Sequence, residues 1–85
     1  MSLSVTVNYP IVDKALVCYH RYVNKEINFE ELQKQMSYQD GDALSRSPYV
    51  RFKITLFASG RYRIRPLGGD TITEAGQARL QQLLK

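Results

Sequence analysis

A single cysteine, Cys18, among 85 residues excludes an internal disulfide framework and suits a reducing compartment. No apolar run approaches the length of a membrane span. Met1-Ser2-Leu3 opens into a strand-like stretch instead of a signal peptide, so the expectation is a cytoplasmic protein with no membrane partner. Repeats, low-complexity tracts and linkers are also missing, and residues 1–85 read as one α+β domain with a modest core. Catalytic constellations are equally scarce. Cys18 and His20 stand two apart on one helix, so they point to different sides and neither share a metal nor form a nucleophile–base pair. Cys18 reads as a semi-buried hydrophobe and His20 as a surface residue. Asp40 and Asp42 lack the glycine spacing and closing glutamate of a calcium loop, and Gly68-Gly69 lacks the lysine of a phosphate loop. The chain is therefore expected to be no enzyme and to hold no cofactor or metal.

The most telling absence is of acid. Between Ala43 and Gly69 there is no aspartate or glutamate, against six basic residues: Arg46, Arg51, Lys53, Arg61, Arg63 and Arg65. The other residues carry six basic and eight acidic side chains, so the whole positive excess of the +4 chain lies in this one stretch. Segregated charge of this kind is the footprint of a phosphate-backbone binder. The plain alternative is a solvated sheet face that keeps an exposed hairpin from pairing edge-to-edge.

What fills the stretch is a β-hairpin, 49–67, with strict alternation. Val50, Phe52, Ile54, Leu56, Tyr62 and Ile64 share one face, predicted buried; Arg51, Lys53, Thr55, Arg61, Arg63 and Arg65 share the other. A two-residue Ser59-Gly60 turn would mix these faces. A three-residue loop, Ala58-Ser59-Gly60 with Gly60 left-handed, instead pairs Phe57 with Arg61, Ile54 with Ile64 and Lys53 with Arg65. The second register is preferred. It sets like charges opposite each other, which costs stability unless an anion is bound. Tyr49 and Phe57 extend the outward face, either as rings that stack on unpaired bases or as packing residues.

Around the hairpin, alternation over 2–8 reads as a short strand stopped at Pro10, and helical spacing covers Ile11 to Asn24. Asn28 caps a second helix, Phe29 to about Met36, with Glu31 at the capping-box position. Asp40-Gly41-Asp42 reads as a turn, after which Asp42 can cap a single helical turn ended by Pro48. Either Thr71 or Thr73 caps a last helix that carries Ile72, Gly76, Leu80 and Leu83 along one side. A glycine inside a helix costs about 1 kcal/mol against alanine, so Gly76 predicts a close approach to another element. Leu84 diverges from this stripe and is expected to reach a second surface, such as a second copy of the chain.

The resulting order, β-α-α-(short turn or helix)-β-β-α, resembles the winged helix-turn-helix domains of bacterial regulators. Ile72-Thr73-Glu74-Ala75-Gly76-Gln77-Ala78-Arg79-Leu80 looks like the stretch that follows the wing in such proteins. The resemblance implies a non-enzymatic DNA-binding regulator whose last helix supports folding or dimerisation. It also implies a recognition helix, for which the matching stretch is Asp40 to Pro48, with Ser45, Arg46 and Ser47 as its DNA contacts. Few apolar anchors there shift the contact energy to the wing. The expected partner is nucleic acid, DNA favoured over RNA, held by Arg46, Tyr49, Arg51, Lys53, Phe57, Arg61, Arg63 and Arg65. The competing expectation is a small inhibitor or accessory subunit of phage or plasmid type, docking the hairpin on an acidic protein.

Overall fold

The computed structural model describes residues 10–84, so the strand expected over 2–8 lies outside the described residues. Among them are four helices and one two-stranded antiparallel sheet: α1 (Ile11–Val23), α2 (Phe29–Gln35), α3 (Tyr38–Ser45), β1 (Phe52–Leu56), β2 (Tyr62–Pro66) and α4 (Glu74–Leu83). Pro10 leads into α1, where its fixed φ suits the chain entering a helix. The Asn28 side chain accepts from the Glu31 N–H at 2.9 Å and starts α2.

The reading of Asp40-Gly41-Asp42 as a turn is corrected: all three lie inside α3. The start signal is Ser37, whose hydroxyl accepts from the Asp40 N–H at 3.2 Å and places that carboxylate in the favourable first turn. Gly41 is closely packed. A Cβ there would stand 2.7 Å from Ile54 Cδ1 and 3.2 Å from Met36 Cε, so α3 lies close on the hairpin at this point and an added side chain would displace those two side-chain tips. Leu44, wholly buried, anchors the helix. Burial outweighs the poor local propensity.

The hairpin has the register expected of it: Lys53 faces Arg65, Ile54 faces Ile64 and Thr55 faces Arg63. The Phe57 N–H donates to the Arg61 carbonyl, and Gly60 takes φ +89°. At its base, Arg51 O accepts from Leu67 N and the Arg51 N–H donates to Thr71 O, so after the loop at 68–70 residues 71–73 return to pair with 49–51 on the same edge of the strand that β2 occupies. The expected inner face needs one correction. Val50, Phe52 and Tyr62 are buried and Ile54 and Ile64 half-buried, but Leu56 is exposed. A two-stranded ribbon twists strongly, and the helices cover it along the Phe52–Tyr62 diagonal, leaving the Leu56 corner bare.

Aromatic rings tie the hairpin to the helices. Tyr19 meets Phe52 at 4.7 Å between centroids, and Phe29 meets Tyr62 edge-on at 5.7 Å. The Tyr62 hydroxyl donates to Met36 O at 2.6 Å, and burial pushes its pKa from 10 up to about 12. The folded state holds this proton more tightly than the unfolded chain. Its contribution is therefore complete below pH 10 and lost as pH rises through 12. Tyr62→Phe should cost about 1 kcal/mol at neutral pH. The gap between variant and parent should close in urea titrations over that alkaline window, since every other tyrosine is common to both.

A second tie was invisible in the sequence. Asp13, 4% exposed, accepts from Arg79 Nε at 3.0 Å and Nη2 at 2.7 Å, so a forked ion pair joins α1 to α4 across 66 residues. Arg79→Leu would leave that carboxylate buried and unpaired, whereas Asp13→Asn leaves an arginine that can turn to water. The expected order of urea midpoints is parent, then Asp13→Asn, then Arg79→Leu. The double variant should recover part of the loss of Arg79→Leu.

Candidate functional site

Strand alternation and the three-residue loop place six of the eight candidate residues on one side of the hairpin. From base to tip the rows are Arg51 with Leu67, Lys53 with Arg65, Thr55 with Arg63, and Phe57 with Arg61. All eight of these side chains belong to exposed residues. Rows follow one another at about 6.8 Å along the strands. Partners within a row stand about 5.5 Å apart at Cα. The helices lie against the opposite face through Phe52, Ile54 and Tyr62, so nothing among the described residues covers the cations.

These residues are not equivalent. Arg61 forms an ion pair with Glu30 of α2, and this guanidinium, by hydrogen bonding and then by charge, holds the Glu30 carboxyl below its ordinary range. Beside it Gln33 Oε1 accepts from the Tyr62 N–H at 3.1 Å. Arg61 thus fastens the hairpin to α2. Arg51, Lys53, Arg63 and Arg65 form no ion pair among the described residues. Four cations in adjoining rows, one pair of them directly opposed, are left with their charge uncompensated.

The other two candidates stand apart from this group. Of the two roles expected of Tyr49, its position favours packing. The residue is half-buried against the core, and its carbonyl accepts from the Thr73 N–H at 2.9 Å. Arg46, at the end of α3, is exposed but bonded to Asp42 at 3.1 Å. Its neighbours are closed as well: the Ser45 hydroxyl donates to Asp42 O at 2.7 Å and the Ser47 hydroxyl to Leu44 O at 2.6 Å. The three contacts expected of a recognition helix are therefore engaged within the chain. Phe57, by contrast, is 45% exposed at the hairpin tip and lies outside the set of residues packed against the core.

Cys18 is buried; its thiol reaches Gln35 Oε1 at 3.7 Å and burial raises its pKa, against a smaller opposing effect of Arg21. His20 is half-buried, with Nε2 3.0 Å from Asn24 Nδ2 at the surface. Among the described residues, no three His, Cys, Asp or Glu side chains gather as metal ligands would, and no helix is long and apolar enough to cross a membrane. What the sequence did not disclose is the division of labour among the arginines. Glu30 and Arg61 are 31 residues apart, and no local pattern links them. Comparison with protein-family models, curated proteins and solved structures found no match to the chain.

Proposed function

We propose that the protein is a non-enzymatic nucleic-acid-binding protein that holds phosphates against the outer face of its β1–β2 hairpin. The observation that carries this reading is the set of four unpaired cations, Arg51, Lys53, Arg63 and Arg65, with Lys53 directly opposite Arg65. Opposed like charges destabilise a ribbon, and a polyanion converts that cost into attraction, with release of its counterions. Three helices, a two-stranded hairpin and a closing helix support a winged-helix-like reading of the architecture. In that reading the protein is a small cytoplasmic regulator, with DNA preferred to RNA.

The test is fluorescence anisotropy of labelled duplex DNA, single-stranded DNA and structured RNA at two salt concentrations. Binding that weakens steeply with salt is expected. Absence of binding to all three, together with a protein captured by the chain from nuclease-treated extract, would replace this reading with an acidic protein partner. Self-association is part of the proposal: Leu84 is 52% exposed at the end of α4 and would meet a second copy. Sedimentation should then show a dimer for the intact chain and a monomer for one ending at Gln81; a monomer in both rejects it.

A further inference from the structure

We infer that the partner on the outer face of the hairpin is an unpaired nucleic-acid strand, with Arg51, Lys53, Arg63 and Arg65 on its phosphates and Phe57 against a base. This rests on the nucleic-acid reading above and narrows it to one class of ligand.

Three observations carry the inference. The first concerns α3. A helix that enters a duplex groove passes between two rows of phosphates, with its own side chains free to meet base edges. Here α3 holds Asp40 and Asp42, Arg46 is neutralised by Asp42, and the Ser45 and Ser47 hydroxyls are bonded to the backbone behind them. The helix carries a net negative charge, and Ser45, Arg46 and Ser47 at its C-terminal end already have partners within the chain. Moreover, α3 packs through Gly41 on the inner face of the hairpin, the side opposite the cations. One duplex laid along the cationic face would not reach it.

The second observation is the apolar group on the cationic face itself. Phe57 stands at the tip, 45% exposed, in the row next to Arg63 and facing Arg61. A duplex turns only phosphate, sugar and base edges outward, because its base faces are covered by their own stacking. An unpaired strand offers those faces, and an exposed ring beside arginines is the group that accepts them whatever the base. Leu67, 52% exposed in the base row beside Arg51, supplies a second apolar contact at the far end.

The third is the pattern of charge. The four free cations occupy three successive rows, a strip about 14 Å long along the strands. A flexible strand can adjust its phosphates to such a strip, whereas the backbone of B-form DNA curves away from it at a fixed rise of about 3.4 Å per nucleotide. Contacts to phosphate and to base faces carry no base-edge code, so the binding is tolerant of sequence.

The experiment uses the full chain and a fluorescein-labelled 12-nucleotide DNA of mixed sequence, alone and annealed to its complement, in anisotropy titrations. The single strand should bind about tenfold tighter than the duplex, or more. Phe57→Ala should weaken the single strand about tenfold and leave its salt slope unchanged, while Phe57→Tyr keeps the affinity. Should the alanine variant unfold, the tyrosine variant and the strand-against-duplex ratio still decide. Equal or tighter duplex binding overturns the inference and leaves the phosphate reading standing. No binding of either probe overturns the phosphate reading itself.

Discussion

Gly76→Ala should destabilise the protein by about 2–3 kcal/mol, although alanine is the better helix former by about 1 kcal/mol. Gly76 lies in the first turn of α4, where its N–H donates to Thr73 Oγ1 at 3.1 Å. The Thr73 hydroxyl in turn donates to Pro48 O at 2.6 Å, and the Thr73 N–H to Tyr49 O at 2.9 Å. These bonds draw α4 onto the segment just before β1. A Cβ on residue 76 would lie inside van der Waals contact with Tyr49 O and 2.7 Å from Ile72 Cγ2. Tyr49 O is main chain and already bonded to Thr73, so it cannot yield as a side-chain tip would. The cost is a shift of α4 away from residues 49–51, where the hairpin begins. Urea unfolding measures it directly, and against a typical stability of 5–15 kcal/mol the change in midpoint is large. A variant as stable as the parent would mean that α4 does not rest on this carbonyl.

The second large effect separates stability from binding. Replacing Arg51, Lys53, Arg63 and Arg65 together by glutamine removes their charge and leaves shorter side chains that are still polar. None of the four makes an ion pair among the described residues, so none is lost. Repulsion between Lys53 and Arg65 is relieved, and stability should hold or rise by about 0.5 kcal/mol. Nucleic-acid affinity should fall by about 100-fold or more at low salt. Arg61→Gln should behave differently, loosening the tie to Glu30 while leaving the four free cations in place. Unfolding curves and anisotropy titrations on the same preparations read out both effects.

The parts of this molecule that were legible in the sequence are those governed by short-range pattern. Alternation over 50–57 and 61–65 fixed which hairpin residues share a face, and the need to keep Ile54 opposite Ile64 selected the loop. Asn28 marks a helix start because a capping side chain acts on a backbone N–H three residues on, whereas for the last helix the pattern leaves Thr71 and Thr73 open and the fold selects Thr73. The same signal is present at Ser37, three residues before Asp40, but the Asp40-Gly41-Asp42 run that follows has the composition of a turn and masks it. That Gly41 lies close against Ile54 is a tertiary fact, with no local trace. Leu56 was misplaced for a related reason. Alternation says which face a residue points to, but not whether a helix covers that corner of a twisted ribbon. The pairing of Arg61 with Glu30 and of Arg79 with Asp13 joins residues far apart in the chain, so the basic residues of the sequence looked alike until the fold separated those tied to carboxylates from those left free.

The central claim is that the free cations of the hairpin bind phosphate, and the slope of log affinity against log salt tests it most directly. For the parent chain the slope should be about −3, from four phosphate contacts. The quadruple glutamine variant, shown to be folded by its unfolding curve, should bind weakly with a slope close to zero. A folded variant that keeps both the affinity and the slope of the parent would place the phosphate contacts elsewhere on the molecule and contradict the account.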